Sequence, residues 1–68
     1  MSEADKDFLR SILKQYEQFA ALPGDEVEQR AIRAEGQARV GLIRYNLGED
    51  KDAELSFHRA KSAYLELA

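Results

Sequence analysis

Over residues 26–47 the apolar side chains fall into two stripes on opposite sides of a helix. At about 100° per residue, Val27, Ala31, Ala34, Ala38, Gly41, Leu42 and Tyr45 gather on one side. Ile32, Gly36, Val40, Ile43 and Leu47 gather on the other. Two polar rows separate them: Glu28, Glu35, Arg39 and Asn46 in one, and Glu26, Arg30, Arg33, Gln37 and Arg44 in the other. A helix that is apolar on two opposed sides needs a neighbour on each. This segment is therefore expected to be the middle of three helices and the most buried of them. Its first stripe is mostly Ala and Gly, so a partner backbone is expected to approach closely there. A charge placed at Ala38 or Val40 is expected to cost on the order of a few kcal/mol.

The neighbours lie on either side of two breaks. Leu22-Pro23-Gly24-Asp25 ends the first segment, because proline disfavours helical geometry in the residue before it and glycine follows. Asn46-Leu47-Gly48-Glu49-Asp50 ends the second, with Gly48 expected at positive φ as the helix terminator. No stretch alternates with period two, so strands are not expected. The first helix should cover about 3–22, opened by a capping box between Ser2 and Asp5. Phe8, Leu9, Ile12, Leu13, Tyr16, Phe19 and Ala20 form its apolar face. The second should cover about 26–47, with Asp25 as N-cap and Glu28 completing the box. The third should cover about 51–67, capped by Asp50, with Ala53, Phe57, Ala60, Tyr64 and Leu67 along one face. Leu55 and Leu65 fall off that face, exposed or set against another chain.

The expected fold class is all-α: one domain over 1–68, three antiparallel helices, the last two forming a hairpin. Hydrophobic residues are 44% of the 68, too many for a disordered chain. A chain this short buries only about 60% of its unfolded surface, and with no cysteine it has neither disulfide nor thiolate metal site. Packed helices or self-association must stabilise it. The absence of cysteine fits a reducing, cytoplasmic setting. A net charge of −3 argues against nucleic acid and anionic membrane as partners. No apolar run approaches the ~20 residues of a membrane span, and the acidic MSEADKD start is not a signal peptide.

Residues 34–63 resemble a tetratricopeptide repeat, a helix hairpin of about 34 residues with small side chains at set positions. Val40-Gly41 matches the apolar-small pair of its first helix, Leu47-Gly48 its turn, and Ala53, Phe57 and Ala60 the small, aromatic and small positions of its second. Two positions depart from the pattern. Arg44 stands where tyrosine is usual, with Tyr45 one step late, and no proline follows the second helix. The upstream Tyr16-Glu17, Phe19-Ala20 and Pro-Gly-Asp turn resemble the tetratricopeptide-like segments attached to some bacterial serine/threonine protein kinases. The resemblance implies a non-catalytic interaction module. The chain has no Gly-rich phosphate loop, His-Arg-Asp or Asp-Phe-Gly motif. The end at Leu67-Ala68, without a capping signal, reads as part of a larger protein.

No catalytic constellation emerges. His58 is the sole histidine and reads as a solvated rim residue. Ser11, Ser56 and Ser62 have no base placed to activate them. Glu49, Asp50 and Asp52 read as first-turn charges at a helix N-terminus, and neither metal nor cofactor is expected. Arg30, Arg33 and Arg44 share one side of the second helix and are candidate contacts for a partner's carboxylates, against a solvated row paired with acids such as Glu26. Tyr16, Tyr45 and Tyr64 are expected to pack in the core with hydroxyls at the rim. The leading function is a protein-interaction or oligomerisation module, with a homodimer as the partner state. Phe8, Ile12, Phe19, Leu55 and Leu65 are expected to lack neighbours within one chain. The runner-up is a monomeric adaptor that binds a peptide, like the three-helix trafficking modules whose helices resemble this repeat.

Overall fold

Three helices make up the computed structural model, which describes residues 2–68: α1 (Glu3–Ala20), α2 (Val27–Asn46) and α3 (Asp50–Leu67). Among the described residues there is no strand. The Ser2–Asp5 box opens α1 as the pattern requires. The Asp5 N–H donates to Ser2 Oγ at 3.2 Å, and the Ser2 N–H donates to Asp5 Oδ2 at 3.4 Å. The helix stops at Ala20, two residues before the expected end, because the Leu22 N–H turns back to the Phe19 carbonyl ahead of Pro23.

Two caps differ from expectation. Glu26, not Asp25, precedes α2, and its N–H donates to Gln29 Oε1 at 3.2 Å. The box is shifted by one residue, because Gly24 at φ +115° turns the chain later than the pattern placed it. Asp50 lies within α3 rather than capping it. Glu49 precedes the helix, and its carboxylate accepts from Arg10 Nη2 at 2.9 Å instead of capping. Asp50 and Asp52 still place negative charge in the first turn, where it favours the helix.

Gly48 adopts φ +81° and closes α2 as expected. Its N–H donates to the Tyr45 carbonyl at 3.0 Å, and the Glu49 N–H reaches the Arg44 carbonyl at 2.9 Å, so two terminal carbonyls are satisfied. A side chain at Gly48 would meet nothing within 4 Å, so a substitution costs backbone strain alone. Gly48→Val is expected to lower stability by about 1–2 kcal/mol. The check is a thermal melt followed by circular dichroism, where that cost amounts to roughly 4–8 °C per kcal/mol.

Each stripe of α2 meets a neighbouring helix over part of its length. Its second stripe meets α1, where Val40 and Ile43 pack on Leu13, ringed by Leu9, Ile12, Tyr16, Ala20 and Leu47. Burying side chains of this kind contributes about 1.5–3 kcal/mol each. Its first stripe meets α3, with Ala34, Gly41, Ala53, Ser56 and Ala60 buried and the Phe57 ring laid against Gly41. The closest backbone approach lies in the other stripe. A Cβ at Gly36 would fall 2.5 Å from the Ala20 nitrogen, so Gly36 lets the end of α1 cross α2. Ala38 is only half-buried, so a charge there is less costly than one at Val40. Val27, Ile32, Leu42 and Tyr45, placed on the stripes, are exposed.

Cross-helix contacts run in opposite senses along each pair. Arg10 lies by Glu49 and Ala20 by Gly36, while Phe57 lies by Gly41 and Tyr64 by Glu35. Adjacent helices are therefore antiparallel. Among the described residues, α1 and α3 pack only on α2 and make no backbone contact with each other. The result is an open layer of Cα extents 39 × 19 × 12 Å.

Candidate functional site

An open layer has two broad faces, and α2 contributes to both. On one, Tyr16 and Phe19 of α1, Ile32, Glu35 and Arg39 of α2, and Tyr64 of α3 line a shallow groove of about 580 Å³. Tyr16 and Phe19 stand one turn apart, with ring centroids 6.1 Å apart and tilted by 53°. Helical spacing extends the apolar surface. Phe8 precedes Phe19 by three turns, Leu42 follows Glu35 by two, and Phe57 precedes Tyr64 by two. Phe8, 66% exposed, is the barest of these rings. Phe19, Ile32, Leu42, Phe57 and Tyr64 are also exposed. Ile12, expected to be bare, is half-buried against the core instead.

A polar cluster sits in the middle of this face. The Tyr64 hydroxyl donates to Glu35 Oε2 at 2.8 Å, and Arg39 Nε donates to Glu35 Oε1 at 2.9 Å. The Tyr64 hydrogen bond, then Arg39, hold the Glu35 carboxyl below its usual range. The same hydrogen bond to Glu35 raises the Tyr64 phenol, and Glu35 raises Arg39. A carboxylate held ionised is an acceptor and an orienting charge. Because its folded value is depressed, whatever the cluster adds to stability is present above pH about 4.5 and fades as pH falls below it. Tyr64→Phe is expected to move the Glu35 titration upward, towards the ordinary carboxylate value, in a carbon-detected NMR titration of the side-chain carboxyls. An unmoved midpoint would mean that the phenol does not hold this carboxylate.

The other face is charged. Glu17, Gln37, Arg44 and Arg59 rim a small cleft over Val40 and Ser56. The three candidate partner arginines do not present a common grip. Arg30 Nη2 donates to the Glu66 carbonyl at 3.2 Å. Arg33 Nη1 donates to the Leu22 and Gly24 carbonyls, tying down the first turn. Arg44 Nη2 lies 3.6 Å from Glu17 Oε2. Of the repeat-motif residues, Val40, Gly41, Ala53 and Ala60 are buried, Leu47 is half-buried, and Gly48 and Phe57 are exposed. Tyr16 is half-buried as expected, whereas Tyr45 is 61% exposed and Tyr64 belongs to the groove. Leu55, Leu65 and His58 are exposed.

Sequence reasoning does not single out Ile32, Glu35, Arg39 or Tyr64 as one site. The available signal is the row of Ile32, Glu35, Arg39 and Leu42, all within one quarter of the α2 circumference. Among the described residues no cluster of three metal-ligating side chains occurs, and no helix is long and apolar enough to cross a membrane. No protein-family model, curated protein or solved structure matches the chain.

Proposed function

We propose that this chain is a protein-interaction and oligomerisation module that works by burying its aromatic face, not by catalysis. The observation that carries the reading is that face: exposed Phe19, Ile32 and Tyr64 line its groove, and helical spacing places the exposed Phe8, Leu42 and Phe57 on the same side of a layer one helix thick. Exposed apolar side chains gathered around a small polar cluster mark an interaction site. Burial of Gly41, Ala53 and Ala60, where the tetratricopeptide resemblance calls for small residues, supports a repeat-like module. The proposed context is a non-catalytic region of a bacterial serine/threonine protein kinase, in the cytoplasm, with a second copy as partner.

The test is solution mass by sedimentation across a dilution series, with melting temperature followed in parallel. Self-association predicts a mass that falls towards 7.7 kDa on dilution and a melting temperature that falls with it. Phe19→Ser, at an exposed ring, should shift the series towards monomer. A concentration-independent monomer with a constant melting temperature would remove self-association. The shallow groove between Tyr16, Ile32 and Tyr64 would then favour the second reading, a monomeric peptide-binding adaptor of the three-helix trafficking type.

A further inference from the structure

We infer that two copies pair through the aromatic face about a two-fold axis crossing α2 at the level of Gln37, with the two α2 helices antiparallel. The inference rests on the self-association reading and adds its geometry. In a two-fold interface each contact occurs twice with roles exchanged, so the surface must be its own complement. The outward row of α2 has this property. Glu35 and Arg39 lie two residues either side of position 37, and Ile32 and Leu42 lie five either side. Antiparallel pairing sets each Glu35 opposite the partner's Arg39, and each Ile32 opposite the partner's Leu42.

The flanking helices agree with the same axis. Phe57 sits level with Gly41, and Tyr64 is bonded to Glu35, so the two aromatics straddle position 37. The axis therefore pairs Phe57 with the partner's Tyr64. The Phe19 backbone meets Gly36, which places Phe19 beside the axis and against its own counterpart. The centres on the three helices thus fall at positions 37, 38 and 36, within one residue of the axis, a coincidence for which an unrelated partner gives no reason.

Chemistry and size fit as well. Arg39 uses only Nε within the chain, and among the described residues no acceptor takes its two Nη groups. A carboxylate has about four lone-pair sites, and two on Glu35 are in use, so it can accept further donors. The layer spans 39 by 19 Å between Cα extremes, a bounding footprint of about 740 Å², so the pairing must use nearly the whole face to reach the ~800 Å² per partner of a stable interface.

Charge reversal tests the pairing. Glu35→Arg alone would oppose arginines at both symmetric contacts, and Arg39→Glu alone would oppose glutamates. Each variant by itself should dissociate at least about tenfold more readily than the native chain. Mixed in equal amounts, the two should recover near-native affinity as a heterodimer. Both positions are half-exposed, so the fold should survive, and recovery in the mixture proves that it did. Register is read separately in a chain with no cysteine of its own. A mixture of Ile32→Cys and Leu42→Cys should cross-link 1:1 under mild oxidation, ahead of either variant alone. A dimeric native chain with no recovery on mixing, or an Ile32→Cys variant that links to itself as readily as to Leu42→Cys, would overturn the geometry and leave the self-association reading standing. A native chain that is monomeric at every concentration would overturn both, and give the face to a different protein.

Discussion

Val40→Glu is expected to cost about 3 kcal/mol and to lower the melting temperature by roughly 12–24 °C. Val40 is 3% exposed and lies between Leu13 and Ile43 in the buried aliphatic cluster of the α1–α2 seam. A carboxylate there loses its water. Part of the cost is offset because the charged cleft lies just above, and a glutamate can extend towards Arg44 one turn away or towards Arg59. Val40→Asp, with a shorter reach, should therefore be worse than Val40→Glu. Ala38→Glu, at a half-buried site, should be milder than both. At 0.05–0.15 kcal/mol per residue a chain of this length is stable by only about 3–10 kcal/mol, so the Val40 variants remove a large share. Melting curves at 222 nm should place the four proteins in the order native, Ala38→Glu, Val40→Glu, Val40→Asp. A Val40→Glu protein that melts like the native chain would show that this seam is not the core.

Gly36→Leu is the second large effect, also about 3 kcal/mol, through overpacking. A Cβ alone would lie 2.5 Å from the Ala20 nitrogen and 2.9 Å from the Ala20 Cα. Those are backbone atoms, so no rotamer change relieves the overlap and the end of α1 must lift away. Gly41 provides the control. Its Cβ would lie 2.7 Å from Cδ1 of Phe57, but that ring is partly exposed and can swing aside. Replacing a helical glycine by alanine also gains about 1 kcal/mol of helix propensity. Gly41→Ala should thus be close to neutral. Near-UV circular dichroism of the tyrosines, Tyr16 included, should report the displaced α1 in Gly36→Leu and stay native in Gly41→Ala.

These contrasts show what the sequence discloses and what it withholds. The two-striped α2 and the Gly48 stop depend on local periodicity and backbone preference, and both stand in the structure. The Asp25 cap fails because Asp25–Glu28 and Glu26–Gln29 satisfy the same spacing, and only the turn at Gly24 chooses between them. The small-residue stripe is the natural place for close backbone approach, yet the tightest crossing is at Gly36, which lies among larger neighbours. Crossing points depend on how two helices are inclined, and a single helix carries no record of that. The arginine row looks uniform on a helical wheel because the wheel places Cα atoms, while the guanidinium groups end several ångströms away on different acceptors. The Glu35–Tyr64 bond spans 29 residues and depends on the register between α2 and α3. No local pattern encodes it.

The lack of backbone contact between α1 and α3 among the described residues shapes how the molecule moves and forms. Among the described residues every backbone contact between helices joins sequence neighbours, so contact order is low and folding should occur within microseconds to milliseconds. The same connectivity gives two separable units. The three-residue link between α2 and α3 keeps that hairpin together, while α1 is held by one seam and a longer turn. Amide hydrogens of α1 should exchange through an opening that leaves the α2–α3 hairpin intact. That opening would bare Leu13, Val40 and Ile43, so the chain has a second, transient apolar surface whose exposure rises and falls with the detachment of one helix.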